Sequence, residues 1–224
     1  MNPLTFHEVV KKRHSCRKFL SETVADEIIT NVLEEAQLSP SNCNTQPWIM
    51  HIVSGEKQIE LSQKLIEAQK KGNFSLDFTF DTNDFKGRYK ERQFEQGKLY
   101  YESLGVKRED KLGREEANLK NLTFYNASHV ALLFMPSVGD NIRVASDIGM
   151  YAQTFLLSLT AHGLAGVPQT ILGFFADTIR EHLNIPSEYK MLFGISFGYE
   201  DEDALENSVR MTRGDYRENV TFHK

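Results

Sequence analysis

The sequence contains little cysteine and no long apolar run. Cys16 and Cys43 are the only cysteines among its 224 residues, and both lie in polar, loop-like surroundings. Secreted proteins of this size more often carry several disulfide pairs, so this content favours a reducing, cytoplasmic compartment. The N-terminus has no apolar signal core. The most apolar long stretch, residues 148–164, is interrupted by polar residues and falls short of the ~20 apolar residues that span a bilayer. We therefore expect no membrane-spanning segment.

An excess of positive charge is also absent. Lysine and arginine total 26 against 31 aspartates and glutamates, which gives a formal net charge of -5. This balance argues against general affinity for nucleic acid or for an anionic membrane. No internal repeat, low-complexity segment or linker divides the chain. The composition, 40% hydrophobic and 25% charged, is that of a globular protein, and we predict a single domain over residues 1–224.

Several catalytic signatures are missing. The chain has no GxGxxG, GxxxxGK[ST], HExxH, CxxC or GxSxG motif. Its histidines show no metal-type spacing, so no metal site is predicted. Because no nucleophile is accompanied by a base, we expect a cofactor rather than a side chain to perform any chemistry.

The hydrophobic pattern predicts an α+β fold. Thr5 and Glu8 form a capping box for a first helix, and Thr23 and Asp26 repeat that signal before a second. The runs "WIMHIV", "HVALLFM" and "MLFGISFGY" predict strands. Further helices are predicted at about residues 56–71, 86–104, 148–163 and before Leu183. We expect these helices to pack on one sheet.

The stretch "KKRHSCRKF" concentrates hydrogen-bond donors near the end of the first helix. Arg13, His14, Ser15 and Arg17 fall within five positions of one another. Such donors suit a phosphate and the polar edge of a ring. The alternative interpretation is a solvated basic turn.

The stretch "SPSNCNTQPW" is rich in uncharged polar groups. Ser41, Asn42 and Asn44 lie between Pro40 and Pro47, which stiffen the backbone. Amides and hydroxyls suit a heterocycle with alternating donors and acceptors better than a metal or a phosphate. The alternative is a plain connecting loop.

Two further stretches offer candidate ligand contacts. "GVPQT", residues 166–170, is predicted to be a short turn whose backbone N–H groups face a ligand, or else a plain strand connection. "RMTRGDY" supplies Arg210 and Arg213 near the C-terminus, where arginines are usually only solvated.

Taken together and in this order, these stretches resemble the FMN-dependent nitroreductase family. The resemblance rests on "RHSCRKF", "SPSNCNTQPW", "SDIGMYAQTFLLSLTAHGLAGVPQT", "LNIPSEYKMLFGISFGYEDED" and "NSVRMTRGDYRENVTF". The last three, with "GVKRED" at 105–110, look most like the subgroup of nitrobenzoate or NAD(P)H nitroreductases. The resemblance covers residues 5–55 and 140–222 and is thin from 60 to 125.

The resemblance implies a nitroreductase-like fold, with a central, mainly antiparallel sheet flanked by helices. It also implies an intertwined homodimer that holds FMN at its interface. Residues 73–126 would form a variable insertion over the substrate pocket. Residues 204–224 would form a C-terminal arm that reaches the partner subunit and adds a strand to its sheet.

The resemblance also implies the cofactor contacts. Arg13, His14 and Ser15 would contact the phosphate, ribityl chain and pyrimidine of FMN, and Arg17 would lie near the pyrimidine edge, where positive charge stabilises the reduced flavin. Arg213 would help to bind the phosphate, and Asn121 would be a further contact.

Two stretches would contact the ring system. Pro168, Gln169 and Thr170 would pack on the isoalloxazine, with the Thr170 backbone N–H directed at the flavin N5. The loop that contains Pro40, Ser41, Asn42 and Asn44 would come from the partner subunit and cover the flavin.

The implied function is an NAD(P)H oxidoreductase. It would reduce a nitroaromatic, a quinone or a similar acceptor by two electrons in a ping-pong cycle, with no catalytic side chain. Two alternatives stay open: a flavoprotein with another reaction, such as reductive dehalogenation or flavin fragmentation, and a flavin-binding protein without turnover. The sequence chooses neither between NADH and NADPH nor among acceptors.

Overall fold

Four strands form one antiparallel sheet at the centre of the computed structural model, which describes residues 3–224. The strands are β1 (Ile49–Ser54), β2 (His129–Pro136), β3 (Ala165–Gln169) and β4 (Tyr189–Gly198). Their order is β1-β2-β4-β3, and every neighbouring pair is antiparallel. The predicted α+β architecture with an antiparallel sheet is confirmed. Met1 and Asn2, which the predicted domain includes, lie outside the described residues.

Eight α-helices occur in the described part of the chain. They are α1 (Phe6–Lys12), α2 (Asp26–Gln37), α3 (Gly55–Lys71), α4 (Arg88–Ser103), α5 (Lys111–Leu119), α6 (Ile142–Ala161), α7 (Ala176–Leu183) and α8 (Leu205–Ser208). None of those in residues 3–224 is long and apolar enough to cross a bilayer.

The core lies on both faces of the sheet, because β2 is apolar at every position from Val130 to Met135. Its side chains alternate between the faces, as in any strand. Leu133 packs against α2 and α6, whereas Leu132 and Phe134 pack against α3 and α7. A strand buried on both faces reads as a continuous apolar run, which is why this strand was predictable.

The helix ends confirm one capping prediction and correct another. At α1, the Thr5 N–H donates to Glu8 Oε2 (2.7 Å) and the Glu8 N–H donates to Thr5 Oγ1 (3.4 Å), which completes the predicted capping box. The second predicted box is wrong, because Ala25 occupies the cap of α2 and makes no side-chain cap bond. Asp26 lies instead in the first turn, where its negative charge interacts favourably with the positive end of the helix dipole.

Residues 166–170 are not a turn. Residues 165–169 form β3, an edge strand, and a 3₁₀-helix follows from Thr170 to Phe174. Gly166 and Pro168 both lower strand propensity, so the local sequence favours a turn. The edge position explains the difference, because an edge strand tolerates a proline that lacks an N–H.

Candidate active site

A cleft of about 1620 Å³ lies between the edge strand β3 and the segment that contains α4 and α5. Five of the residues that the resemblance assigned to a cofactor line it: Arg17, Asn121, Pro168, Gln169 and Thr170. These residues come from three separate stretches of the chain. The fold therefore brings residues of two of the four predicted stretches, together with Asn121, to one place.

The N-terminal stretch reaches the cleft because it runs beside β3. Ser15 forms an isolated parallel bridge with Gly166, and the Cys16 N–H donates to the Gly166 carbonyl (3.4 Å). Cys16 is fully buried, which fixes the segment between Arg13 and Arg17 against the sheet edge. Burial raises the pKa of the Cys16 thiol to about 12, so the thiol is a packing group rather than a nucleophile.

A backbone N–H without an internal acceptor lies at the cleft directly after β3. The Gly166 carbonyl points at Cys16 and thus away from β4. Because backbone groups alternate along an antiparallel strand, Pro168 also points away from β4, and its missing N–H removes no ladder bond. The N–H of Thr170, the next residue of this set, has no acceptor among residues 3–224.

Gln169 lines the cleft, but its side chain is buried and makes its hydrogen bonds within the protein. Its side chain is 3% exposed. Its Nε2 donates to the carbonyl (3.0 Å) and to Oδ1 (3.3 Å) of Asn121, while Ser196 Oγ donates to its Oε1 (2.5 Å). The Tyr125 hydroxyl donates to the same Asn121 Oδ1 (2.8 Å). Gln169 therefore fixes Asn121, which faces the cleft.

Two arginines and two tyrosines form a row along the cleft. The guanidinium carbon of Arg17 lies 5.0 Å from the centre of the Tyr100 ring, and that of Arg114 lies 4.1 Å from the centre of the Tyr101 ring. The two tyrosine rings are 5.6 Å apart. We call Arg17, Tyr100, Tyr101 and Arg114 the arginine–tyrosine row. Only Arg17 among them is a predicted cofactor contact, because the other three lie where the resemblance is thin.

The Tyr100 hydroxyl is buried without a partner. It is the one buried side-chain polar atom in the described part of the chain that lacks a hydrogen bond. Burial raises the pKa of Tyr100, so the hydroxyl keeps its proton and remains a donor at neutral pH. An unpaired buried polar group is costly, so this hydroxyl lowers the stability of the folded protein.

Arg13 and Arg213 form a second cationic site beside the N-terminal stretch. Desolvation lowers the pKa of Arg13, and the positive charge of Arg213 lowers it further. Neither residue takes part in an ion pair among residues 3–224, and Arg213 donates only to the Met211 and Thr212 carbonyls. Two neighbouring guanidiniums without a carboxylate fit a phosphate group. Arg210 instead bonds to the carbonyls of Asn207 and Val209.

His14 is an anchor for this stretch. Its Nε2 contacts Glu200 Oε1 (2.8 Å) just beyond β4, and its Nδ1 contacts the Lys12 carbonyl (3.0 Å). Both ring nitrogens are thus occupied within the chain. That His14 contacts a cofactor stays a prediction. Because both ring nitrogens are occupied, the backbone of His14 would have to make that contact.

The loop at residues 40–46 lies outside the cleft of its own chain. The Asn42 N–H donates to both carboxylate oxygens of Asp147 (3.1 Å each), and Trp48 stacks on Tyr151 at 4.7 Å. These contacts attach the loop to α6. Pro40, Asn42 and Asn44 are exposed, and Asn44 has a positive φ of 54°. The loop is therefore attached to α6 and exposed at the surface, and Asn44 Oδ1 accepts from Gln46 Nε2 (3.1 Å) within the loop.

The chain belongs to the nitroreductase family, whose model matches residues 10–199. It is 39% identical over 216 residues to nitroreductase NfnB of Mycolicibacterium smegmatis, with 96% of this chain and 92% of that protein covered. It is 33% identical to a 4-nitrobenzoate reductase of Pseudomonas putida, with 93% and 91% covered. The fold matches the crystal structure of FMN-dependent NfnB from Mycobacterium smegmatis in complex with NADPH, with a TM-score of 0.93, 38% identity and 97% of both chains covered.

Proposed function

We propose that the protein is an FMN-dependent NAD(P)H oxidoreductase that reduces nitroaromatics, quinones or similar acceptors. Three similarities support this proposal: those to nitroreductase NfnB, to a 4-nitrobenzoate reductase, and to the crystal structure of FMN-dependent NfnB in complex with NADPH. The observation that carries it is the cleft itself, which five predicted contacts line. Arg13 and Arg213, which are not among its lining residues, add an unpaired pair of cations. When bound, FMN supplies the ring that accepts a hydride from NAD(P)H and passes two electrons to the acceptor.

The residues present fit the two ends of FMN. Arg13 and Arg213 are the cations that we assign to its phosphate, with Ser15 and the backbone of His14 beside them. Pro168 supplies an exposed apolar surface for the ring system. Thr170 supplies a backbone N–H without an internal acceptor, which we assign to the flavin N5.

Arg17 tunes the reduced state in this proposal. Its guanidinium is held over Tyr100, and Asn121 beside it is fixed by Gln169. A positive charge near the pyrimidine edge stabilises an anionic reduced ring by about 1.5–3 kcal/mol when a charge-assisted hydrogen bond forms. No side chain of the cleft is needed as a general acid, because solvent can deliver the protons.

The proposed enzyme is a homodimer in which the loop at residues 40–46 covers the flavin of the partner. The loop is attached to α6, exposed and outside the cleft of its own chain, as such a role requires. Leu38, two residues before Pro40, is 84% exposed. Such an exposed large apolar side chain beside the loop is compatible with an interaction surface.

The C-terminal arm, residues 204–224, belongs to the same proposal. Glu218 pairs with Arg92 of α4 at 2.8 Å, so part of the arm contacts the insertion at residues 73–126 of its own chain. Beyond this contact Phe222 is 72% exposed. We propose that these last residues reach the partner. The cysteine content supports a cytoplasmic location.

Steady-state kinetics of the FMN-loaded protein test the proposed reaction. Initial rates of NADPH oxidation are measured at several concentrations of a quinone and of a neutral nitroaromatic. A ping-pong cycle predicts parallel double-reciprocal lines, because the nucleotide leaves before the acceptor binds. Bound flavin without acceptor-dependent oxidation of NADPH or NADH would favour the flavin-binding alternative instead.

A further inference from the structure

The outer end of the arginine–tyrosine row is not used by the proposed cofactor site. Arg17, at the inner end, is assigned to the flavin, whereas Arg114 lies on α5 at the far side of Tyr101. Both ends line the same cleft. The second arginine is therefore available to whatever shares the cleft with the flavin.

Arg114 is positioned but not neutralised. Its guanidinium lies over the Tyr101 ring, whose hydroxyl donates to Asn118 Oδ1 (3.2 Å). None of its five side-chain N–H donors has an acceptor among residues 3–224, and no ion pair there includes it. The residue is half-buried, unlike a freely solvated surface arginine. Its donors are thus fixed in direction and unsatisfied.

The surrounding charge reinforces this feature. The whole chain carries a net charge of -5. The cleft lining nevertheless has an excess of positive charge, because it contains five cations (Arg17, Lys98, Lys107, Arg108 and Arg114) and three carboxylates (Glu95, Glu102 and Glu109). Lys107 and Arg108, like Arg114, have no ion-pair partner in the described residues. A guanidinium stacked on an aromatic ring keeps its planar N–H edge free for a carboxylate or a phosphate. The local field and the free donors therefore select an oxyanion.

We propose that Arg114 binds an oxyanion carried by the aromatic molecule that occupies the cleft above the flavin, with Tyr101 as the adjoining ring surface. Two sources carry this chemistry: the carboxylate of an aromatic acceptor and the 2′-phosphate of NADPH. The inference rests on the proposed function for the presence of these molecules. It makes Arg114 a specificity-determining residue for charged over neutral ligands.

The test compares Arg114→Met with the unmodified protein in two matched pairs. The first pair is 4-nitrobenzoate and 4-nitrobenzamide as acceptors, and the second is NADPH and NADH with the neutral acceptor. We expect the charged-over-neutral ratio of kcat/KM to fall about tenfold to one-hundredfold in one pair, as loss of a charge-assisted hydrogen bond does. The pair that responds identifies the source of the oxyanion. Lys70→Met, which removes a positive charge from the surface of α3, should leave both ratios unchanged.

Two outcomes would overturn this inference. One is an equal effect of Arg114→Met on the charged and neutral members of both pairs, and the other is an unmodified protein without a charge preference in either pair. Arg114→Lys should restore part of the lost ratio, because it keeps the charge but not the planar fork. Calorimetric binding of 4-nitrobenzoate and of 2′,5′-ADP to the FMN-loaded protein needs no turnover. It therefore decides the role of Arg114 even if the proposed reaction fails.

Discussion

The guanidinium of Arg17 lies over the ring of Tyr100, with 5.0 Å between the guanidinium carbon and the ring centre. This contact joins the N-terminal stretch, which runs along β3, to α4 in the segment at 73–126. It also places a fixed positive charge beside the unpaired Tyr100 hydroxyl. The cleft wall is thus built from two parts of the chain that only the tertiary fold brings together.

The unpaired hydroxyl predicts an unusual response to Tyr100→Phe. In the FMN-free protein the substitution should raise the free energy of unfolding by about 1 kcal/mol, because it removes a buried polar group without a partner. Urea unfolding of the FMN-free protein measures this gain. Tyr216→Phe, at an exposed position of the C-terminal arm, is the control. Destabilisation of the FMN-free protein by Tyr100→Phe would contradict the prediction.

Arg13→Ala should weaken FMN binding by at least about tenfold, since the loss of a charge-assisted phosphate contact is worth roughly 1.5–3 kcal/mol. The FMN-free protein should not lose stability, because the substitution removes a desolvated charge that Arg213 repels. Fluorescence titration with FMN gives the dissociation constant, and Lys11→Ala on the exposed side of α1 is the matched control. Unchanged FMN retention in Arg13→Ala would remove the basis of the phosphate assignment.

Shared sites predict complementation between two inactive variants. If Asn44 acts on the flavin of the partner and Arg13 on the flavin of its own chain, a mixed dimer of Asn44→Ala and Arg13→Ala contains one intact site. Co-expression with two different tags isolates that mixed dimer. We expect about half of the unmodified activity per dimer, which one intact site of two supplies. Activity no higher than that of either variant alone would argue against an interface site.

The sequence identified most of the helices and strands and five of the residues that line the cleft. Residues 129–135 form a continuous apolar run, and this strand lies where predicted. The helix around Phe155 carries a periodic apolar signal, but it begins at Ile142, six residues before the predicted start. The segment at residues 13–17 lies beside β3, because Ser15 forms a bridge with Gly166. That these two segments form one cofactor site stays a prediction.

The parts that sequence could not supply depend on tertiary contacts. Gly166 and Pro168 indicate a turn locally, and only the edge position beside β4 makes them a strand. Helix α5 is short and mostly polar, with Ala117 as its one buried residue, so few apolar residues mark it in the sequence. The sequence has many aromatic residues and does not single out Tyr100 and Tyr101. Only their contacts with Arg17 and Arg114 in the folded protein distinguish them.

Burial of His129 should make the folded protein less stable at acidic pH. Burial lowers the pKa of His129, so the folded protein binds its proton more weakly than the unfolded chain does. Stability should therefore fall as pH drops below about 6.5, the pKa of an unperturbed histidine, by at most about 1.4 kcal/mol per pH unit for this residue. His129→Phe, which keeps an aromatic ring against Phe197, should reduce that slope. Urea unfolding between about pH 7 and about pH 5 measures it, and an unchanged slope would contradict the assignment.

The absorbance spectrum of the purified protein under anaerobic conditions tests the central proposal most directly. We predict flavin bands that bleach when NADPH or NADH is added and return in full when a quinone or a nitroaromatic follows. Recovery by the acceptor alone, without oxygen, would establish that the cleft passes electrons from the nucleotide to a second molecule. A protein that binds no flavin even when FMN is supplied, or whose flavin neither nucleotide bleaches, would contradict the account.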